Sequence, residues 1–78
     1  MSFTQIPVFV NNSWLHVDVP NHIFGPMRFV YATSWVAARN KDLSEHDSKI
    51  VAEAIVYQRL YPGIVHNSIV HELMKKVS

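Results

Sequence analysis

The sequence predicts an α+β domain in which an N-terminal β-hairpin is followed by three helices (ββααα). Three observations carry that expectation. Two short runs of alternating apolar residues flank Asn11–Asn12, a long segment opens on Ser44 and stops at Pro62–Gly63, and an amphipathic stripe lies near the C-terminus. A length of 78 residues suits a single small domain, 1–78, with one core.

In the first run Ile6, Val8 and Val10 alternate with Pro7 and Phe9, the period of a strand. In the second, Leu15, Val17 and Val19 alternate with Trp14, His16 and Asp18. Asn tolerates the positive φ that a tight hairpin turn requires, so the two runs pair. Pro7 has no N–H to give to a ladder, which places the first strand at an edge. Pro20–Gly25 is a connector, and Pro26 suits the first position of a helix.

Met27–Arg39 is predicted helical, ending on a basic residue and on Asn40, which accepts the left-handed conformation. Its Phe29, Val30, Tyr31, Thr33, Trp35 and Val36 are strand formers, so a third strand over 28–36 is the alternative. The next helix, Glu45–Tyr61, has Ser44 at the cap position, acids in its first turn and Arg59 in its last. Its main stripe is Ile50, Val51, Ala54, Ile55, Tyr57 and Tyr61, while Val56 and Leu60 form a second strip on the other side. The last helix starts near Asn67 and runs to Lys76. Ile69, Val70, Leu73, Met74 and Val77 form its apolar stripe.

Composition narrows the function classes. Hydrophobic residues make up 49% and charged residues 17%, against roughly 25% charged for an average domain, which excludes a disordered chain. No run free of charge, Pro and Gly, Phe29–Ala38 included, exceeds half the ~20 residues of a spanning helix. No basic start followed by an apolar stretch appears near Met1, so the expectation is a cytoplasmic protein without a membrane partner. With no cysteine there is no disulfide and no thiolate ligand. A net charge of +1 argues weakly against a dedicated phosphate binder.

Motifs for catalysis or metal binding fail on spacing. His71–Glu72–Leu73–Met74–Lys75 begins like a zinc-protease helix but places Lys where the second imidazole is needed. His16, His22, His46, His66 and His71 are scattered over several elements, so no metal and no cofactor is expected. Ser44–Glu45–His46–Asp47 brings together a nucleophile, a base and carboxylates as neighbours, but residues adjacent on a helix start fan outward. The two glycines lie too far apart for a phosphate loop, and Asn11–Asn12–Ser13 reads as a turn rather than a glycosylation site. No catalytic residue is assigned.

The aromatic excess is what remains. Nine aromatic residues and the stripes of three helices exceed what so small a core can cover. The sequence therefore predicts a non-enzymatic protein-interaction module, a small regulator or inhibitor that binds a larger protein or forms a homodimer. Its expected interaction surface is Trp14, His16, Val56, Arg59 and Leu60. A second reading is nucleic-acid binding. Asn67–Ser68–Ile69, opening a helix after a helix and a Gly63 turn, resembles the second helix of ribbon-helix-helix repressors over some thirty residues. That family places a polar strand directly before its first helix, where this chain has the charged link Arg39–Ser44. A third reading is a small-ligand pocket between protomers, lined by Tyr57 and Tyr61 with Arg59.

Overall fold

The computed structural model describes residues 2–78 and contains β1 (Phe3–Val10), β2 (Ser13–Pro20), α1 (Met27–Asn40), α2 (Glu45–Leu60) and α3 (Ser68–Val77). The chain is a small α+β domain with an antiparallel hairpin followed by three helices, as its sequence predicts.

Asn11 and Asn12 take φ of 51° and 63°, the two left-handed residues of a two-residue hairpin turn. Pairing runs from Val10–Ser13 at the turn to Phe3–Pro20 at the open end. The Asn21 N–H donates to the Ser2 carbonyl at 3.3 Å, which fixes the alternation of the ladder. Thr4–Val19, Ile6–Val17, Val8–Leu15 and Val10–Ser13 are hydrogen-bonded pairs, and Gln5–Asp18, Pro7–His16 and Phe9–Trp14 are the non-hydrogen-bonded ones. The Pro7 nitrogen consequently faces away from β2, where its missing N–H leaves no gap in the ladder.

Helix replaces the strand alternative over 28–36. Pro26 starts α1 in right-handed geometry, and the Thr33 hydroxyl donates back to the Phe29 carbonyl at 2.9 Å, so a β-branched polar residue sits in a helix with its hydroxyl satisfied. A two-stranded sheet also needs a covering layer, and α1 supplies it: Tyr31, Ala32 and Val36 join Val8, Val17 and Val19 in one buried cluster. Asn40 stays helical. The expected left-handed residue is instead Asp42, at φ 65°, two positions further on. There the Leu43 N–H donates to the Ala38 carbonyl at 3.2 Å, and the Arg39 guanidinium donates to the Leu43 carbonyl at 2.8 Å.

The Ser44 hydroxyl accepts from the Asp47 N–H at 3.1 Å and so caps α2. This helix is the centre of the fold. Ala52 and Val56 belong to the hairpin–α1 cluster, while Val51 packs with Ala38, Leu43 and Leu73 in a second one. The second apolar strip therefore splits: Val56, at 1% exposure, is core rather than interaction surface, while Leu60 stays exposed at the end of the helix. The neighbours of Val56 one and two turns back, Ala52 and Ser48, are small and fully buried, which lets α2 approach closely there. The Ser48 hydroxyl has no hydrogen-bond partner. Ser48→Ala removes that desolvated group without changing the packing, and urea denaturation should show it more stable by about 1 kcal/mol.

α3 is held more loosely. The Asn67 side chain accepts from the Val70 N–H at 2.9 Å and caps it, but of the expected stripe only Leu73 is buried, and Ile69 remains exposed.

Tyr31 is the largest fully buried side chain. Burial, and after it the charge of Glu53, pushes its hydroxyl above the ordinary 10.0. The folded chain keeps this proton where the unfolded chain loses it. That contribution to stability is whole below pH 10.0 and is lost as the pH rises through the elevated value. The melting temperature of the wild type should thus fall more steeply above pH 10.0 than that of Tyr31→Phe.

Candidate interaction surface

The hairpin has two faces, and only one is covered. Side chains alternate across each strand, so the inward set of Ile6, Val8, Val17 and Val19 leaves Phe3, Gln5, Pro7, Phe9, Trp14, His16 and Asp18 on the outer face. No helix packs there: every outer residue just named is exposed, Trp14 at 63% and Phe9 at 58%. The register sets Phe9 opposite Trp14 in a non-hydrogen-bonded pair, the closer of the two pair types. Their rings meet edge to face with centroids 5.1 Å apart and planes at 62°. Such a pair contributes about 0.5–1.5 kcal/mol beyond area burial, which favours the edge-to-face arrangement before anything binds. Beyond Pro7 and His16 along the face, the Gln5 amide donates to the Asp18 carboxylate at 3.1 Å.

Trp14 and His16 thus lie on one exposed face, as their alternation implied. His16 also borders a cleft at the β2 edge with Phe3, Asp18, Trp35, Glu45 and Lys49. Phe9 completes the aromatic pair beside the turn and Phe3 adds a third exposed ring at the open end of the same face; sequence reasoning missed both. The signal was available in the hairpin pairing: once Asn11–Asn12 is the turn, Phe9 must face Trp14.

The α2 residues separate into three environments. Leu60, Tyr57 and Tyr61 surround a cavity of about 210 Å³ with His22, Phe24 and Met27, and Val56 and Ile23 reach its wall from the core. Arg59 points elsewhere, into the groove between α2 and α3 with Ile55, Gln58, Met74 and Val77. Within one chain Tyr57 and Tyr61 therefore share a cavity and Arg59 borders a different groove. The cleft that His16 borders and the clefts at the C-terminal turn of α2 are separate ones.

His66 is partly buried beside another groove with His46, Glu53 and Tyr57, and its Nε2 lacks a partner. Among the described residues no three His, Asp or Glu side chains converge. Lys75 pairs with Glu72 at 3.8 Å on the exposed side of α3, which partly neutralises the basic end of that helix. No described helix is long and apolar enough to cross a membrane. No family model matches the sequence, and comparison with curated proteins and with solved structures returns no match.

Proposed function

We propose that this chain is a non-enzymatic protein-interaction module, a small regulator or inhibitor that docks through the outer face of its hairpin. The observation that carries this reading is the Phe9–Trp14 pair, two exposed rings packed edge to face on a sheet surface that no helix covers. Large exposed rings at one end of the face, with the polar groups of His16, Gln5 and Asp18 following along it, supply the aromatic anchors and polar partners of a binding surface. The accessible surface of 5285 Å² is roughly a tenth above the ~4,900 Å² of a folded monomer of this mass. An excess of that kind suits a surface that a partner covers.

The cavity beside Leu60 and Tyr61 favours an auxiliary role. At about 210 Å³ it is smaller than the ~300–1,000 Å³ of pockets for drug-sized ligands, but it has room for one apolar side chain. A partner reaching it would be anchored at a second point.

Immobilised wild-type chain and a Phe9→Ala, Trp14→Ala double variant, compared on lysate of the source cell, test the reading. The proteins retained by the wild type should be lost from the variant, which should still fold, with a melting temperature lower by the few degrees that the loss of the ring pair implies. Retention by both would overturn it. Retention that disappears as salt rises from about 50 to 200 mM, and that releases nucleic acid, would favour the phosphate-binding alternative.

A further inference from the structure

We infer that β2 pairs antiparallel with β2 of a second copy of this chain, giving a continuous four-stranded sheet. The inference builds on the interaction reading above and names the partner of one of its edges.

A two-stranded sheet has two free edges, and here they differ. The ladder alternation aims the N–H and C=O groups of Phe3, Gln5, Pro7 and Phe9 outward from β1, and those of Trp14, His16, Asp18 and Pro20 outward from β2. In the middle of the β1 edge stands Pro7, without a donor, a substitution that blocks edge pairing. The β2 edge has donors at Trp14, His16 and Asp18 in sequence, and its proline comes only at the last position, Pro20. None of these three N–H groups has another backbone partner among the described residues. β2 is therefore the edge open to a further strand.

Charge selects both the occupant and the register. With the twofold axis at His16 two imidazoles lie opposite each other, and with it at Asp18 two carboxylates do. With the axis at Val17, His16 faces the second copy's Asp18 and Asp18 faces the second copy's His16. Each cross-strand pair sets an imidazole N–H donor opposite a carboxylate acceptor. In this register both pairs exchange their backbone hydrogen bonds, and the Trp14 N–H reaches the second copy's Pro20 carbonyl. Asp18 already accepts from Gln5 through one oxygen, which leaves the other for the imidazole.

The same register organises the exposed rings. Phe9 faces Trp14 and Phe3 faces Pro20 within each hairpin. Pairing about Val17 sets Trp14 against the second copy's Pro20. Phe9, Trp14, then Pro20 and Phe3 of the second copy form one row across the four strands, repeated at the other end by symmetry. On the inner face Leu15, 39% exposed in the single chain, comes to lie opposite the second copy's Val19. The cleft at this edge is bordered by one ammonium and one carboxylate of α2, Lys49 and Glu45, so it presents no uniform charge to its own image.

Light scattering after size exclusion over a hundredfold concentration range, with the full chain, tests the inference. The wild type should approach twice its 9.0 kDa mass at the upper end. His16→Pro removes an edge N–H that makes no bond within the hairpin and should raise the dissociation constant at least about tenfold. Asp18→Lys, which sets a cation opposite His16, should do the same and guards against a folding defect in the proline variant; circular dichroism confirms that each is folded. His16→Asp with Asp18→His exchanges the charges and should restore association. A mass of 9.0 kDa at every concentration overturns self-pairing. A dimer that neither single variant weakens overturns it as well. In both cases retention of a partner that depends on Phe9 and Trp14 still decides the interaction reading separately.

Discussion

Val56→Glu is expected to leave the chain unfolded at 25 °C, whereas Leu60→Glu, one turn further along α2, should fold and melt close to wild type. Val56 is 1% exposed and packs in the cluster formed by the hairpin, α1 and α2. A carboxylate there is packed among the apolar side chains of that cluster, and desolvating it, or expelling it at the expense of the core, costs about 3–5 kcal/mol or more. A core in a domain of this size supplies only ~3–5 kcal/mol in total. Leu60 borders the small cavity with Phe24 and Tyr61 and is 39% exposed, so its charged replacement reaches water. Helical circular dichroism with thermal melts separates the two. A cooperative wild-type-like transition in Val56→Glu would mean that the inner strip of α2 does not face the hairpin. Partner retention by Leu60→Glu then becomes interpretable, which it would not be for an unfolded chain.

That contrast marks where the sequence was legible. Period-two alternation distinguishes the faces of the hairpin without further information, so Trp14 and His16 could be placed outside and Val17 and Val19 inside. The caps at Ser44 and Asn67 are local chemistry and equally readable. The side of α2 that faces the hairpin was not. A helix with two apolar strips fits a central helix and a helix with one strip left for a partner equally well. The small residues that decide the matter, Ser48 and Ala52, contribute no hydrophobic signal of their own. The 28–36 segment is similar: its β-branched and aromatic residues favour a strand locally, and burial of Tyr31 and Val36 against the hairpin overrides that preference. Arg59 and Tyr61, only two positions apart, project to different clefts because each residue turns about 100° around the helix axis.

Tyr31→Ala and Leu73→Ala delete side chains from the two different clusters, and they should fail in different ways. Tyr31, fully buried on α1 in the hairpin–α2 cluster, leaves a cavity whose surroundings, Val19, Ala32 and Val56 among them, are held by three elements and cannot all close in. The loss is about 3–5 kcal/mol, comparable with the whole stability of the domain, and the variant should lack a cooperative transition at 25 °C. Leu73 is the one buried residue of α3, a helix otherwise docked through half-exposed side chains. Removing it costs about 2–5 kcal/mol, but α3 is able to detach without opening the hairpin–α1–α2 cluster, because no α3 residue belongs to that cluster. Hydrogen exchange should therefore show early loss of protection over 68–77 in Leu73→Ala, with the ladder amides of Val17 and Val19 and those of α2 still protected. Uniform loss across the chain in that variant would mean that the two clusters unfold as one unit, and that the groove holding Arg59 is as rigid as the hairpin face.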